Sequence, residues 1–250
     1  QTNKPNRKML VLFMITAALY ASIGLGGGST YIALMVIFGV TASQIPITAL
    51  ICNICVVSIN LIRYRGTPFP YRILIPLLCS SIPMAYLGGQ TEIPPALFQI
   101  LLGMVLILSG IAMGVKREGL SLTYPMTLAH CIVIGGILGG LAGLVGIGGG
   151  IFLVPILYAY NIGPPAQIAR IASGFIFFNS ISGLIGQMNK IENFLFPFSL
   201  LPMTVAVVLG ALIGTQLHLK VLQRKHVRWV TIFLIEFVAV RILWLTWTNY

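Results

Sequence analysis

Apolar residues fill this chain in long blocks, separated by brief polar or basic interludes. The blocks run at 9–40, 44–62, 73–91, 95–115, 123–161, 166–188, 197–218 and 229–247. Lys, Arg, Asp and Glu are absent from Met9 to Ile62, from Gly119 to Ala169 and from Phe194 to Leu219. A helix of about 20 apolar residues crosses the roughly 30 Å of bilayer hydrocarbon, and a soluble domain could not cover this much apolar surface. The pattern predicts an all-α, multi-pass integral membrane protein whose main partner is the lipid bilayer.

Two blocks are too long for one crossing. As a single helix, the 39 residues of 123–161 would run about 58 Å at 1.5 Å per residue, so the helix must bend or break. The place is marked by Gly146-Ile147-Gly148-Gly149-Gly150. Block 9–40 carries the matching string Gly24-Leu25-Gly26-Gly27-Gly28. Each glycine costs a helix interior about 1 kcal/mol relative to alanine, and freed backbone groups survive at membrane depth only against protein or a water-lined cavity. Both strings are therefore read as helix breaks or re-entrant segments, one in each half of the chain.

Other features repeat with them. Gly26–Gly28 matches Gly148–Gly150 at an offset of 122, and Leu61-Ile62 matches Leu184-Ile185 at 123. Pro76, Gly88 and Gln90 match Pro202, Gly214 and Gln216 at 126. The slow drift fits duplication, with residues 1–118 as a first membrane repeat and 119–250 as a second, together one transport domain. Three basic clusters, Arg63/Arg65/Arg72, Lys116/Arg117 and Lys220/Arg224/Lys225/Arg228, belong on the cytoplasmic side. An even number of crossings must then separate the second from the third, which requires 123–161 to enter and return. The count inverts the two repeats relative to each other, as in many secondary transporters. It also places Lys4, Arg7 and Lys8 outside, against the charge rule.

At each break the next residues restart a helix, whose first N–H groups lack partners and sit at the positive end of a dipole. Glycines admit a ligand close to such a backbone, and successive N–H groups form an anion nest. The predicted binding residues for a small anion are Gly26, Gly27, Gly28, Ser29 and Thr30 at the first break, and Gly148, Gly149, Gly150 and Ile151 at the second. Asn53, Asn179 and Ser180, on the blocks that follow the breaks, are expected to line the same cavity. The competing reading, glycines serving only close helix packing, is weaker for two matched strings than for one.

The remaining chemistry is sparse. The net charge of +11 comes from 15 basic and 4 acidic residues, but the basic residues sit between apolar blocks, so nucleic acid is not an expected partner. Cys52-x-x-Cys55 has redox or zinc spacing but lies inside an apolar block, and all four cysteines are read as core. His130 is read as structural, Arg170 as interfacial, and Glu236 and Arg241 receive no role. The chain carries no His-Glu-x-x-His or Gly-x-Ser-x-Gly motif, and no Lys-Ser/Thr follows the glycines as a phosphate loop requires. Neither an enzyme nor a cofactor is expected, and a homodimer stays open. A passive anion channel is the alternative to a carrier.

The paired Gly-x-Gly-Gly-Gly strings, the second continuing to Pro155, resemble the sulfite exporter TauE/SafE family over nearly the whole chain. The first string departs from the second, with Ala33 where Pro155 stands. The resemblance implies a multi-pass transporter of the cell inner membrane that exports sulfite or a related organosulfur anion such as a sulfonate. The residues by themselves lead to a small anion and secondary transport.

Overall fold

The computed structural model describes residues 7–41, 43–68, 70–114, 126–189, 200–216 and individual positions between 229 and 247. Lys4, Glu118, Glu192, Arg241 and the two later basic clusters lie outside the described residues. The described chain is all-helical. It comprises α1 (Arg7–Ile23), α2 (Gly28–Ile37), α3 (Gln44–Arg63), α4 (Tyr71–Gln90) and α5 (Pro95–Gly114), then α6 (Leu128–Val145), α7 (Gly150–Ala159), α8 (Pro165–Met188) and α9 (Leu200–Gln216). The described positions between 229 and 247 are helical as well.

Four of these helices, α3, α4, α6 and α8, are long and apolar enough to cross a membrane. The two overlong blocks are each cut at the glycines, into α1 with α2 and α6 with α7. Apolar side chains such as Ile132, Val133, Ile137, Leu209 and Leu212 are exposed on the outer faces, the surface expected of helices solvated by lipid tails. This is a multi-pass membrane protein.

Small residues set the packing. Gly135, Gly139 and Gly143 on α6 lie against the backbone of Leu77, Ser81 and Ala85 on α4. The register advances by four residues on both helices, so α4 and α6 run parallel in close, glycine-mediated contact. Gly210 and Gly214 on α9 lie likewise against Met14 and Ala18 on α1, and these two helices also run parallel. Gly88 meets Gly140, and Gly214, which matches Gly88 at the sequence offset of 126, meets Ala18.

Helices α3 and α8 occupy the centre, where they pack on each other. Gly24 lies against Tyr64 at the end of α3 and Ala169 near the start of α8, whereas Gly26 faces Asn53 and Ile176 in their middles. The register falls on one helix as it rises on the other, so α3 and α8 are antiparallel. The end of α7 returns to the start of α6, with the rings of His130 and Tyr160 5.6 Å apart. At the far end, the Gln187 amide of α8 donates to Gly143 O of α6 at 2.8 Å. Within block 123–161, α6 and α7 thus form a hairpin that turns back on itself. His130 also closes a capping box with Thr127 at the start of α6, the structural role expected of it. All four cysteines are free thiols.

Candidate functional site

Both breaks rely on left-handed backbone that glycine adopts without a Cβ clash. Gly27 caps α2 at φ 87°, and Gly149 caps α7 at φ 74°. The first ladder bonds of α2 run from Thr30 and Tyr31 N–H to Gly27 O, and those of α7 from Phe152 and Leu153 N–H to Gly149 O. The N–H groups of Gly28, Ser29, Gly150 and Ile151 therefore stand ahead of their ladders, at the positive ends of two half-helices.

These four residues share one cavity. Its walls are Tyr20, Leu25, Gly26, Gly27, Gly28 and Ser29 from the first break and Ile147, Gly150, Ile151 and Ile176 from the second side. It encloses about 10 Å³, room for a single water. An oxyanion needs the two sides to move apart.

Asn53, fully buried, stands between the breaks. Its Nδ2 donates to Ile147 O at 3.2 Å, while its Oδ1 faces Gly26, where a Cβ would come within 2.5 Å, and has no hydrogen-bond partner. Asn60 donates to Leu25 O at 3.3 Å, and Ser173 to Gly24 O at 2.9 Å. Carbonyls released by the broken helices are thus taken up by side chains of α3 and α8, as burial requires. The matching position to Asn53 on α8 is Ile176, whose side chain reaches Gly26, Gly148 and Gly150.

Of the residues predicted from sequence, Gly26, Gly27, Gly28, Ser29, Gly150 and Ile151 line the cavity, and Asn53 and Gly148 adjoin it. Ser180 lies next to Gly148, its buried Oγ without a partner. Three others turn elsewhere. The Thr30 hydroxyl pairs with Tyr20 OH at 2.8 Å. Gly149 backs onto Phe175 and Leu138 O. Asn179 donates to Phe175 O of its own helix at 2.8 Å. Tyr20, Leu25, Ile147 and Ile176 line the cavity and Ser173 adjoins the first break without having been predicted from sequence. The offset of 123, which pairs Asn53 with Ile176, was the available signal for one of them.

Two close contacts flank the breaks at opposite ends of α3. At one end Gly24 meets Ala169 and the ring of Tyr64. At the other, Gly146 meets Pro46, with a Cβ position 2.6 Å from its Cα. Ala169 and Pro46 are partners at the same offset of 123.

Paired broken helices around a small shared cavity, in a bundle of apolar helices, define a multi-pass membrane protein. The description "Sulfite exporter TauE/SafE" matches residues 9–242. A probable membrane transporter protein of Sinorhizobium fredii is 31% identical, over 83% of this chain and 87% of its own length. No solved structure matches. The chain belongs to the sulfite exporter TauE/SafE family, and its function is membrane transport.

Proposed function

We propose that this protein is a secondary transporter of the cell inner membrane that exports a small sulfur-containing anion, sulfite or an organosulfonate, by alternating access. The observation that carries this reading is the convergence of two half-helix N-termini, through Gly28, Ser29, Gly150 and Ile151, on one small cavity. Donors and dipole ends arranged in this way bind an anion without a basic side chain. The wall formed by Ile147, Ile151 and Ile176 suits the carbon end of a sulfonate.

Residues 1–118 and 119–250 act as two inverted repeats in this reading. The antiparallel course of α3 and α8 and the exchanged pairs of α4 with α6 and α1 with α9 support it. The contacts Gly24–Ala169 and Gly146–Pro46 are then the two gates, equivalent by the repeat, and opening one at a time gives access to one side at a time. A membrane potential of 100 mV, negative inside, favours exit of an anion by about 2.3 kcal/mol per charge, so export proceeds without an obligatory coupling ion.

The test is counterflow of sulfite, sulfate, thiosulfate and simple sulfonates in liposomes holding purified protein. Saturable exchange of sulfite or a sulfonate is the expected result. Picoampere currents through single molecules would replace the carrier with a passive channel.

A further inference from the structure

Outside the cavity, the strongest unmet chemistry lies where α3 ends, close to the start of α8. We propose that this end of the bundle carries a capture subsite for an oxyanion, with Arg63 as its anchoring group and Arg170 beside it. The proposal extends the transport reading by giving the anion a landing place before the gate.

Arg63 closes α3 and is only partly exposed. Arginine at the end of a span ordinarily snorkels its head into water. Here Nη1 is buried and has no hydrogen-bond partner, while the guanidinium carbon stands 5.5 Å from the centroid of the Tyr64 ring. A buried guanidinium nitrogen without an acceptor leaves its desolvation uncompensated. Among the described residues no carboxylate is placed to correct that: none of α1 to α9 carries Asp or Glu, Glu92 follows the opposite end of α4, and Glu236 lies in the last helical stretch. An oxyanion accepting from the guanidinium fork supplies the missing acceptor.

The placement gives the site its purpose. Tyr64, next to Arg63, lays its ring against Gly24, 3.3 Å from the Cβ position, and Ala169, next to Arg170, meets the same glycine. Ser173, one turn further along α8, holds the Gly24 carbonyl. The two arginines thus flank the residues that shut this gate. Arg65 and Arg72 lie on the connection and first turn beyond it, which marks this face as cytoplasmic. A same-sign field at a cleft mouth raises the local concentration of the oppositely charged solute, and an exporter draws its substrate from this side.

The experiment measures sulfite transport from each face separately, in phosphatidylcholine proteoliposomes of defined orientation. Arg63→Gln should raise KM on the basic face about tenfold, an effect that fades at high salt. KM on the opposite face and the turnover rate should stay near wild type. Arg63→Lys, which keeps the charge but not the fork, should fall between, and Arg65→Gln, at an exposed position, should match wild type. An unchanged KM, or one raised equally on both faces, overturns the subsite. If wild-type protein carries no sulfite, the transport reading fails by itself, and calorimetric titration of sulfite into protein in phosphatidylcholine nanodiscs decides the subsite. Heat from wild type that is lost in Arg63→Gln supports it. Identical heats, or occupancy only by phosphatidylglycerol when that lipid is supplied, overturn it.

Discussion

The break at 24–28 and the break at 146–150 share a glycine pattern and differ in nearly everything that surrounds it. Ser29, Thr30 and Tyr31 follow the first, while Ile151, Phe152 and Leu153 follow the second. Tyr20 in α1 corresponds to Ala142 in α6, and Asn53 over the first break to Ile176 over the second. Hydroxyl residues open the half-helix after the first break and hydrocarbon the one after the second, while Asn53 and Ile176 each reach both strings. Donors made by backbone do not depend on any side chain, so two strings that share little but their glycines can carry different linings. For an anion with a carbon tail, a polar half and an apolar half are complementary duties.

The hardest blow to both halves is a β-branched residue at a capping glycine. Gly27→Val and Gly149→Val each force a positive φ on valine, a strain of about 1–3 kcal/mol. Each also drives a side chain into aromatic neighbours: Tyr20 and Tyr31 within 3.3 Å of the Cβ position at Gly27, Phe175 at 3.0 Å at Gly149. Both variants should lose transport and melt well below wild type in detergent. Normal folding and transport by Gly149→Val would remove the second half-helix from the mechanism.

The inner glycines separate the breaks more finely. Gly148 has φ 78°, whereas Gly26 is not among the positive-φ glycines. What blocks Gly26→Ala is a side chain, since its Cβ would lie 2.5 Å from Asn53 Oδ1. Overpacking of this kind costs about 1–3 kcal/mol. Adding Asn53→Ala should therefore restore most of the melting temperature lost in Gly26→Ala. The same second change should restore a smaller share in Gly148→Ala, whose Cβ also meets Asn53 Nδ2 at 2.9 Å but whose positive φ leaves backbone strain in place. Equal rescue at both positions would mean that the breaks do not differ in backbone.

How far the sequence foretold this follows from what each feature depends on. The breaks were legible because a glycine run inside an apolar block has few physical outcomes. The hairpin at 123–161 followed from block length and basic clusters, before any contact was known. Pairing within the bundle was not legible: Gly135, Gly139 and Gly143 read as generic glycines until α4 lies against them. Nor was the facing of α8. Asn179 and Ser180 are adjacent, yet one bonds its own helix and the other meets Gly148, because a 100° step between residues decides which looks inward. Tyr20 was hidden in the apolar run of α1, its hydroxyl taken by Thr30.

A milder pair tests the division of duties. Ser29→Ala deletes a hydroxyl beside the N–H donors of α2, and Ile151→Ala thins the apolar wall. Ser29→Ala should raise KM for sulfite and for longer sulfonates alike, by about fivefold, the worth of one net hydrogen bond. Ile151→Ala should leave sulfite nearly unchanged and weaken sulfonates in proportion to the carbon they bury, at about 0.8 kcal/mol per methylene. Competition of unlabelled anions against sulfite counterflow reads both. The reverse pattern would exchange the roles of the two breaks.

The smallest effect belongs to Thr30, which stands in the polar half without facing the cavity. Thr30→Val keeps the shape and removes the bond to Tyr20 OH, 2.8 Å long and buried. The Tyr20 hydroxyl loses a partner beside the cavity, so stability should fall by about 1 kcal/mol, seen as a modest drop in melting temperature. Turnover and KM for sulfite should stay near wild type, because the donors ahead of the α2 ladder belong to Gly28 and Ser29. A large rise in KM with unchanged stability would put the Thr30 hydroxyl on the anion. The polar character of the first break would then extend one residue beyond the backbone cradle.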